Sequence, residues 1–435
     1  MYIKMNRTKG SIFSLSYLTI CVTLMTVLLF FDSRILLRIL LGEGIAEVIG
    51  FLLGAVFIII SLLIINRNWS IGSGYTLLIA LFCFITIARF FVAGINWKVC
   101  TFMILPFLAA IVSVSTANNL KLYKLIINAI LIVILANACV IIFPIDFITQ
   151  GLEQQTDALR SAWTLTSLVG SRAIGLFSAP GFLSLYASIS FGIGITLFYY
   201  KRSLMGLVLL LSGLFCGISS GNRSFILGVA VAISCLLIIS VRDKTMSFLS
   251  MLKGLFILVA LFGIAFLVIS KTEYLETIDL RFSQDVISRD VDTRMYGEFG
   301  MISGLNALLD EPLWGALAIS PDGRVGAFDG MYYVQPHNAI VEVLATRGLL
   351  MGLIYILFCV NSIRGLYRFL PVCPSEAHHN IAGLFVGLVT GLSIAMIEPL
   401  GEISLMLVLI GLGLGLQAKS KRRAGSSLLS MTRAR

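Results

Sequence analysis

Apolar residues run along this chain in long blocks broken by short polar interruptions. The blocks fall at roughly 12–31, 45–65, 75–94, 97–115, 123–143, 181–199, 204–219, 224–241, 248–270, 338–360, 381–397 and 399–416. A helix needs about 20 apolar residues to cross the hydrocarbon of a bilayer, so each block predicts one crossing. The pattern predicts an all-α polytopic membrane protein of about twelve transmembrane helices, a single membrane domain over residues 1–435. The pairs 204–219/224–241 and 381–397/399–416 read as tight hairpins. Two polar stretches are long enough to fold outside the bilayer, a smaller loop at 144–180 and a larger one at 271–337. Within the larger loop, Met295, Phe299, Ile302, Leu305 and Leu309 recur at helical spacing. They predict one amphipathic helix over Arg294–Leu309, lying on the outer membrane face or capping a cavity between spans. Glu311-Pro312 should stop it, and the Gly- and Asp-rich stretch 315–330 reads as a mobile loop.

Composition agrees with a bilayer and narrows the partners. The chain is 58% hydrophobic and 12% charged, where a soluble domain carries roughly 25% charged residues. The first apolar block is too long for a signal-peptide core and reads as a retained anchor. Lys4, Arg7 and Lys9 precede it and should hold the N-terminus in the cytoplasm. Counting crossings from there, the inside connections carry Arg67, then Lys121 and Lys124, Lys201 and Arg202, Arg242 and Lys244, Arg364 and Arg368. Lys419, Lys421, Arg422, Arg423, Arg433 and Arg435 follow in the C-terminal tail, so both termini are expected inside. The net charge of +10 is thus accounted for by topology and by anionic lipid, and it does not call for nucleic acid. The eight cysteines, at 21, 83, 100, 139, 216, 235, 359 and 373, lack CxxC spacing and read as small apolar fillers.

The candidate chemistry lies on the outer side. Positive charge is least expected there, and yet Arg223 sits in a hairpin with almost no loop, Ser219-Ser220-Gly221-Asn222-Arg223-Ser224. Arg172 opens Arg172-Ala-Ile-Gly175-Leu-Phe177 before the sixth span, and Arg294 starts the amphipathic stripe. Arg281, Arg289, Arg324 and Arg347 complete the outer set. Guanidinium forks match phosphate oxygens and stay charged at physiological pH, so several converging at headgroup depth suit a lipid-linked diphosphate. The alternative is that each one snorkels to ordinary lipid phosphate. His337, at the junction of the large loop and the next apolar helix, has an ordinary pKa near neutrality and suits a general base. His378 and His379 are adjacent, share no helical face and make a poor metal pair. Asp290-Val291-Asp292 offers paired carboxylates, but a metal is redundant where arginines already neutralise the leaving group. Polar residues inside spans are also candidates. They are Arg89, one turn inside the outer end of its span, Asn128 and Asn137, and Glu398 and Glu402 around the last outer turn. Lys253 most simply snorkels.

At these residues the chain resembles the bacterial O-antigen ligases and O-antigen polymerases. The Ser219–Arg223 hairpin followed by an apolar span is similar to theirs. So is Thr293-Arg294-Met295-Tyr296 leading to Pro312-Leu313-Trp314-Gly315, and so is His337-Asn338-Ala-Ile-Val-Glu342 continuing to Gly348-Leu349-Leu350-Met-Gly352. Arg172-x-x-Gly175-x-Phe177 also resembles the family's pattern, whereas Ser178-Ala179-Pro180-Gly181 departs from the Asn-Pro-Asn of many relatives. The resemblance covers roughly 170–360. It implies an inverting, metal-independent and cofactor-free glycan transfer on the periplasmic side of the inner membrane. The implied donor is a glycan on undecaprenyl diphosphate, and the acceptor is lipid A core or the growing glycan, with other polysaccharide-assembly proteins as further partners. Carried over residue by residue, Arg223 and Arg294 would bind the diphosphate and His337 would take the acceptor proton. Arg172, Arg289, Asn338, Glu342 and Arg89 would contact substrate.

Two other classes remain. A multi-span transporter of a lipid-linked or anionic substrate should show internal repeats and matched broken spans. The chain shows no repeat, and Pro106 is its one clear mid-span proline. A purely structural subunit would leave Arg223 and His337 freely replaceable.

Overall fold

The computed structural model describes residues 73–92, 97–117, 119–143, 175–177, 180–243, 292, 294–296, 300–315, 327–328, 331–332, 338–398 and 404–433. The predicted segments 12–31, 45–65 and 248–270 lie outside these residues. The other nine predicted segments all fall on helices. In chain order these are α1 (Ser73–Val92), α2 (Trp97–Thr116), α3 (Leu120–Ile142), α4 (Pro180–Lys201), α5 (Leu204–Ser219) and α6 (Ser224–Arg242). After the loop helix α7 (Met301–Asp310) come α8 (Ala339–Phe369), α9 (Ser375–Ala395) and α10 (Ser404–Arg433). Among the described residues, five helices are long and apolar enough to cross a membrane, namely α3, α4, α6, α8 and α9. The described strands are a two-residue antiparallel ribbon, β1 (Ala327–Phe328) and β2 (Met331–Tyr332), with Phe328 opposite Met331.

Polar residues at the block edges define the helix starts. Asn119 caps α3 by accepting from the Lys121 N–H at 3.1 Å, and Ser203 caps α5 by accepting from the Gly206 N–H at 3.1 Å. Packing then relies on small residues, as it must where lipid is as apolar as the helix surface. A side chain at Gly194 or Gly213 would strike the backbone of the partner helix, so α4 and α5 approach closely. Gly365 and Gly413 let α8 and α10 do the same, and the Ser362 hydroxyl donates to the Ile410 carbonyl across that contact at 2.8 Å. Helices α4 and α9 are the most enclosed of the candidate spans, and α4 buries Ser184, Ser188 and Ser190 with its apolar residues. Cys83, Cys216, Cys235 and Cys359 are buried free thiols, in keeping with filler roles.

Three expectations need correction. The stripe Arg294–Leu309 is not one helix. Residues 294–296 are helical, but Gly300 is extended (φ −80°, ψ 164°) and α7 begins after it. Glycine is the weakest helix former save proline, so the break falls there. The buried face of α7 is Gly304 and Ala307, packed toward Ala345, while Leu305 and Leu309 point outward. Second, the predicted span 338–360 contains a break. Gly348 (φ 78°, ψ 174°) separates a nine-residue turn of helix, 339–347, from the crossing segment that follows. Third, the last helix starts at Ser404 and continues through the basic tail to Arg433.

Candidate functional site

The segments singled out by sequence meet beyond the C-terminal end of α9. Met396 closes that helix, and Ile397 and Glu398 continue with their N–H groups on the Ile394 carbonyl at 2.9 Å each. From the α5–α6 hairpin, Asn222 Nδ2 donates to Glu398 Oε1 at 3.2 Å. From the large loop, Arg294 donates through one NH2 group to the same Oε1 at 3.1 Å and through the other to the Ile397 carbonyl at 3.1 Å. From the start of α8, Asn338 Nδ2 donates to the Met396 carbonyl at 2.9 Å. Carbonyls at a helix C-terminus carry partial negative charge and lack intrahelical donors, so a guanidinium and an amide are suitable partners for them.

Each arm has a local reason for its shape. In the hairpin, Gly221 takes a positive φ of 56°, which allows the tight reversal. The Ser220 hydroxyl donates to the Gly217 carbonyl at 2.7 Å, and Asn222 Oδ1 accepts from the Ser224 N–H at 3.2 Å. The Ser184 and Ser224 hydroxyls lie 3.0 Å apart and tie the hairpin to α4. Arg223 is thereby set at the N-cap of α6, half-buried, next to the asparagine that touches Glu398.

Asn338 caps the nine-residue helix by accepting from Ile340 and Val341 N–H at 3.0 and 3.1 Å. Its oxygen caps the helix and its nitrogen binds α9, which fixes the chain next to His337. Pro312-Leu313-Trp314-Gly315 docks on the far end of this helix. The break at Gly348 leaves the Leu349 N–H to donate to the Pro312 carbonyl at 2.8 Å. Gly315 (φ 72°) and Gly348 face each other so closely that a side chain on either would strike the other's backbone neighbours. Two sequence motifs are therefore the two halves of one joint.

The third motif is also structural in part. Gly175 has φ 59°, and Leu176 N–H donates to Asn137 Oδ1 at 2.7 Å. Phe177 is fully buried against Tyr186, with ring centroids 4.7 Å apart. The Gly-x-Phe of the pattern is thus held by Asn137 of α3 and by Tyr186 of α4.

Of the residues predicted for the site, Arg223, Arg294 and Asn338 are brought to one place. Glu342 lies in the first turn of α8 and Arg89 in α1. His337, Arg172 and Arg289 lie outside the described residues, as do Glu402 and Asp290. Arg347, counted among the outer arginines, serves the fold: it is buried, with its guanidinium 5.0 Å from the Phe82 ring and 5.7 Å from the Phe107 ring. Sequence reasoning noticed Glu398 as a polar residue at an outer turn but gave it no role. The available signal was a carboxylate directly after an apolar helix on the side that is rich in arginine. Among the described residues no group of His, Cys, Asp and Glu has the arrangement of a metal site.

Residues 206–356, about a third of the chain, match the family model described as O-antigen ligase. The match spans the hairpin, Arg294, the Pro312–Gly315 turn and the His337-Asn338 helix, and so supports the family drawn from those motifs. With the apolar helices, it supports a glycan-transferring enzyme of the bacterial inner membrane. Arg172, Arg89 and Glu398 fall outside the matched stretch. No curated protein matches the chain.

Proposed function

We propose that this protein transfers a glycan from an undecaprenyl-diphosphate donor to a sugar hydroxyl, at the periplasmic face of the membrane, in one inverting step without a metal. The observation that carries the reading is the convergence of the Asn222-Arg223 hairpin, Arg294 and the Asn338 cap on the end of α9. Such a place brings the Arg294 guanidinium and the Arg223 hairpin to one end of α9, in chain adjacency to His337.

The acceptor oxygen attacks the anomeric carbon, its proton passes to His337, and the bond from that carbon to the diphosphate oxygen breaks. Undecaprenyl diphosphate leaves with the bonding pair. A single displacement inverts the anomeric configuration. Charge develops on the leaving oxygen, where Arg223 and Arg294 already stand; fixed positive charge at that point is the largest expected contribution to rate. Arg172, Arg289 and Arg89 extend the cationic lining, and Glu342 contacts the acceptor sugar. The acceptor is lipid A core in a ligase and the growing chain in a polymerase.

Complementation tests this directly. The parent chain and its Arg223→Ala, Arg294→Ala and His337→Ala forms are expressed in hosts lacking a ligase or a polymerase, and surface polysaccharide is read as a gel ladder. The parent should restore one of the two ladders, and the three variants should fail at normal protein levels. Variants that work as well as the parent would show that the site is wrongly placed.

A further inference from the structure

We infer that Glu398 is the positioning residue of this site, setting the Arg294 guanidinium and the Arg223 hairpin at a fixed separation for one diphosphate; the inference rests on the diphosphate reading above. One carboxylate oxygen accepts from two segments that are remote in sequence, Asn222 at 3.2 Å and Arg294 at 3.1 Å. Its side chain is only 10% exposed. A buried carboxylate is costly unless it is paired. The location makes it costlier, because a negative charge just beyond a helix C-terminus faces the negative end of that helix. Glu398 therefore does nothing for α9. Arg294 offsets that cost by binding Oε1 and the Ile397 carbonyl together, and the Asn222 amide donates to the same oxygen. A guanidinium presents its donors in a rigid fork, so fixing one edge fixes the direction in which the remainder of the group faces. The amide of Asn222 on the same oxygen carries that alignment to the neighbouring Arg223.

The role is geometric, which gives it a distinctive signature. Glu398→Gln keeps an oxygen acceptor in place and removes the charge, whereas Glu398→Ala removes the anchor. The test uses the purified full chain in detergent micelles, titrated with farnesyl diphosphate as a short isoprenyl diphosphate, beside thermal unfolding without ligand. Glu398→Ala should weaken binding about tenfold, the scale of a charge-assisted hydrogen bond, while Glu398→Gln stays within about threefold of the parent. Arg294→Ala with Glu398→Ala should bind only about threefold more weakly than Arg294→Ala alone, since only the Asn222 arm is then left to lose.

Failure of a parent chain to bind farnesyl diphosphate would sink the diphosphate reading itself. A parent that binds, beside a Glu398→Ala form that binds equally well, would overturn only the positioning role. So would a Glu398→Ala form that melts earlier with unchanged affinity, since that is a mere clamp. A Glu398→Gln form as weak as the alanine form would also overturn it. If Glu398→Ala does not accumulate, Asn222→Ala removes one arm alone. It should cost about threefold in affinity, and no change would overturn the inference.

Discussion

Arginines that look alike in sequence do different work here. Arg294 grips the end of α9 through the Ile397 carbonyl and Glu398, whereas Arg347 stands against the paired Phe82 and Phe107 rings. Composition and topology mark both as outer arginines, because charge is all a sequence displays and neither the end of α9 nor the ring pair is near them in the chain. The distinction is testable. Arg294→Lys keeps the charge but loses the fork, so transfer should fall by at least about tenfold, and Arg294→Ala should fall by about 10²–10³. A time course of ladder formation measures both. Arg347→Gln removes a desolvated cation–π contact, so it should lower stability by about 1–2 kcal/mol while donor affinity in the folded protein is unchanged. Thermal unfolding beside a farnesyl diphosphate titration separates the two effects.

At the scale of elements, the informative object is the joint between the Pro312–Gly315 turn and the break in α8. Asn119, Ser203 and Asn338 each stand before an apolar block and cap the helix that follows, a local interaction that involves only neighbours in the chain. The break at Gly348 was not legible, since the reason for it is the turn of residues 312–315 arriving from elsewhere in the chain. The amphipathic stripe failed for the converse reason. Periodicity reported which residues are apolar, but α7 buries its small residues against Ala345 and leaves Leu305 and Leu309 exposed. Leu313 and Trp314 in the turn, and Leu349 and Leu350 after the break, are exposed as well. Gly348→Ala places a side chain in a backbone region that is essentially restricted to glycine, at a cost of about 1–3 kcal/mol, and also against the Leu313 carbonyl. It should either undock the turn or straighten α8, and both move the His337-Asn338 segment. The expected outcome is lost transfer with protein still in the membrane, checked by the gel ladder together with an immunoblot of the membrane fraction.

Across the whole molecule, the alternation read from basic residues agrees with which loops meet. Loops assigned to one side gather at one end of α9: the 219–224 hairpin, Arg294, Asn338 and Glu398. Loops assigned to the other side gather at its start. There His378 pairs with Asp243 at 3.2 Å, Tyr200 donates to Asp243 at 2.8 Å, and Lys201 lies 3.2 Å from His379. Arg242 meanwhile donates to the Tyr367 carbonyl at 2.8 Å. Hydropathy could give this sorting because every crossing flips the side. What it could not give is which chains of contacts close within each set, since those depend on helix neighbours that no local pattern encodes. The sorting fixes two ends, and the positive-inside rule assigns the arginine-rich tail and the His378 end to the cytoplasm. In a form whose native cysteines are replaced, Asp322→Cys in the large loop should react with an impermeant thiol reagent once the outer membrane is opened. Ser375→Cys, exposed at the start of α9, should react only after the inner membrane is permeabilised. Reversal of the two would put the Arg223–Arg294–Glu398 cluster in the cytoplasm, where a glycan already carried across the membrane could not reach it, and the transfer reading would fall with it.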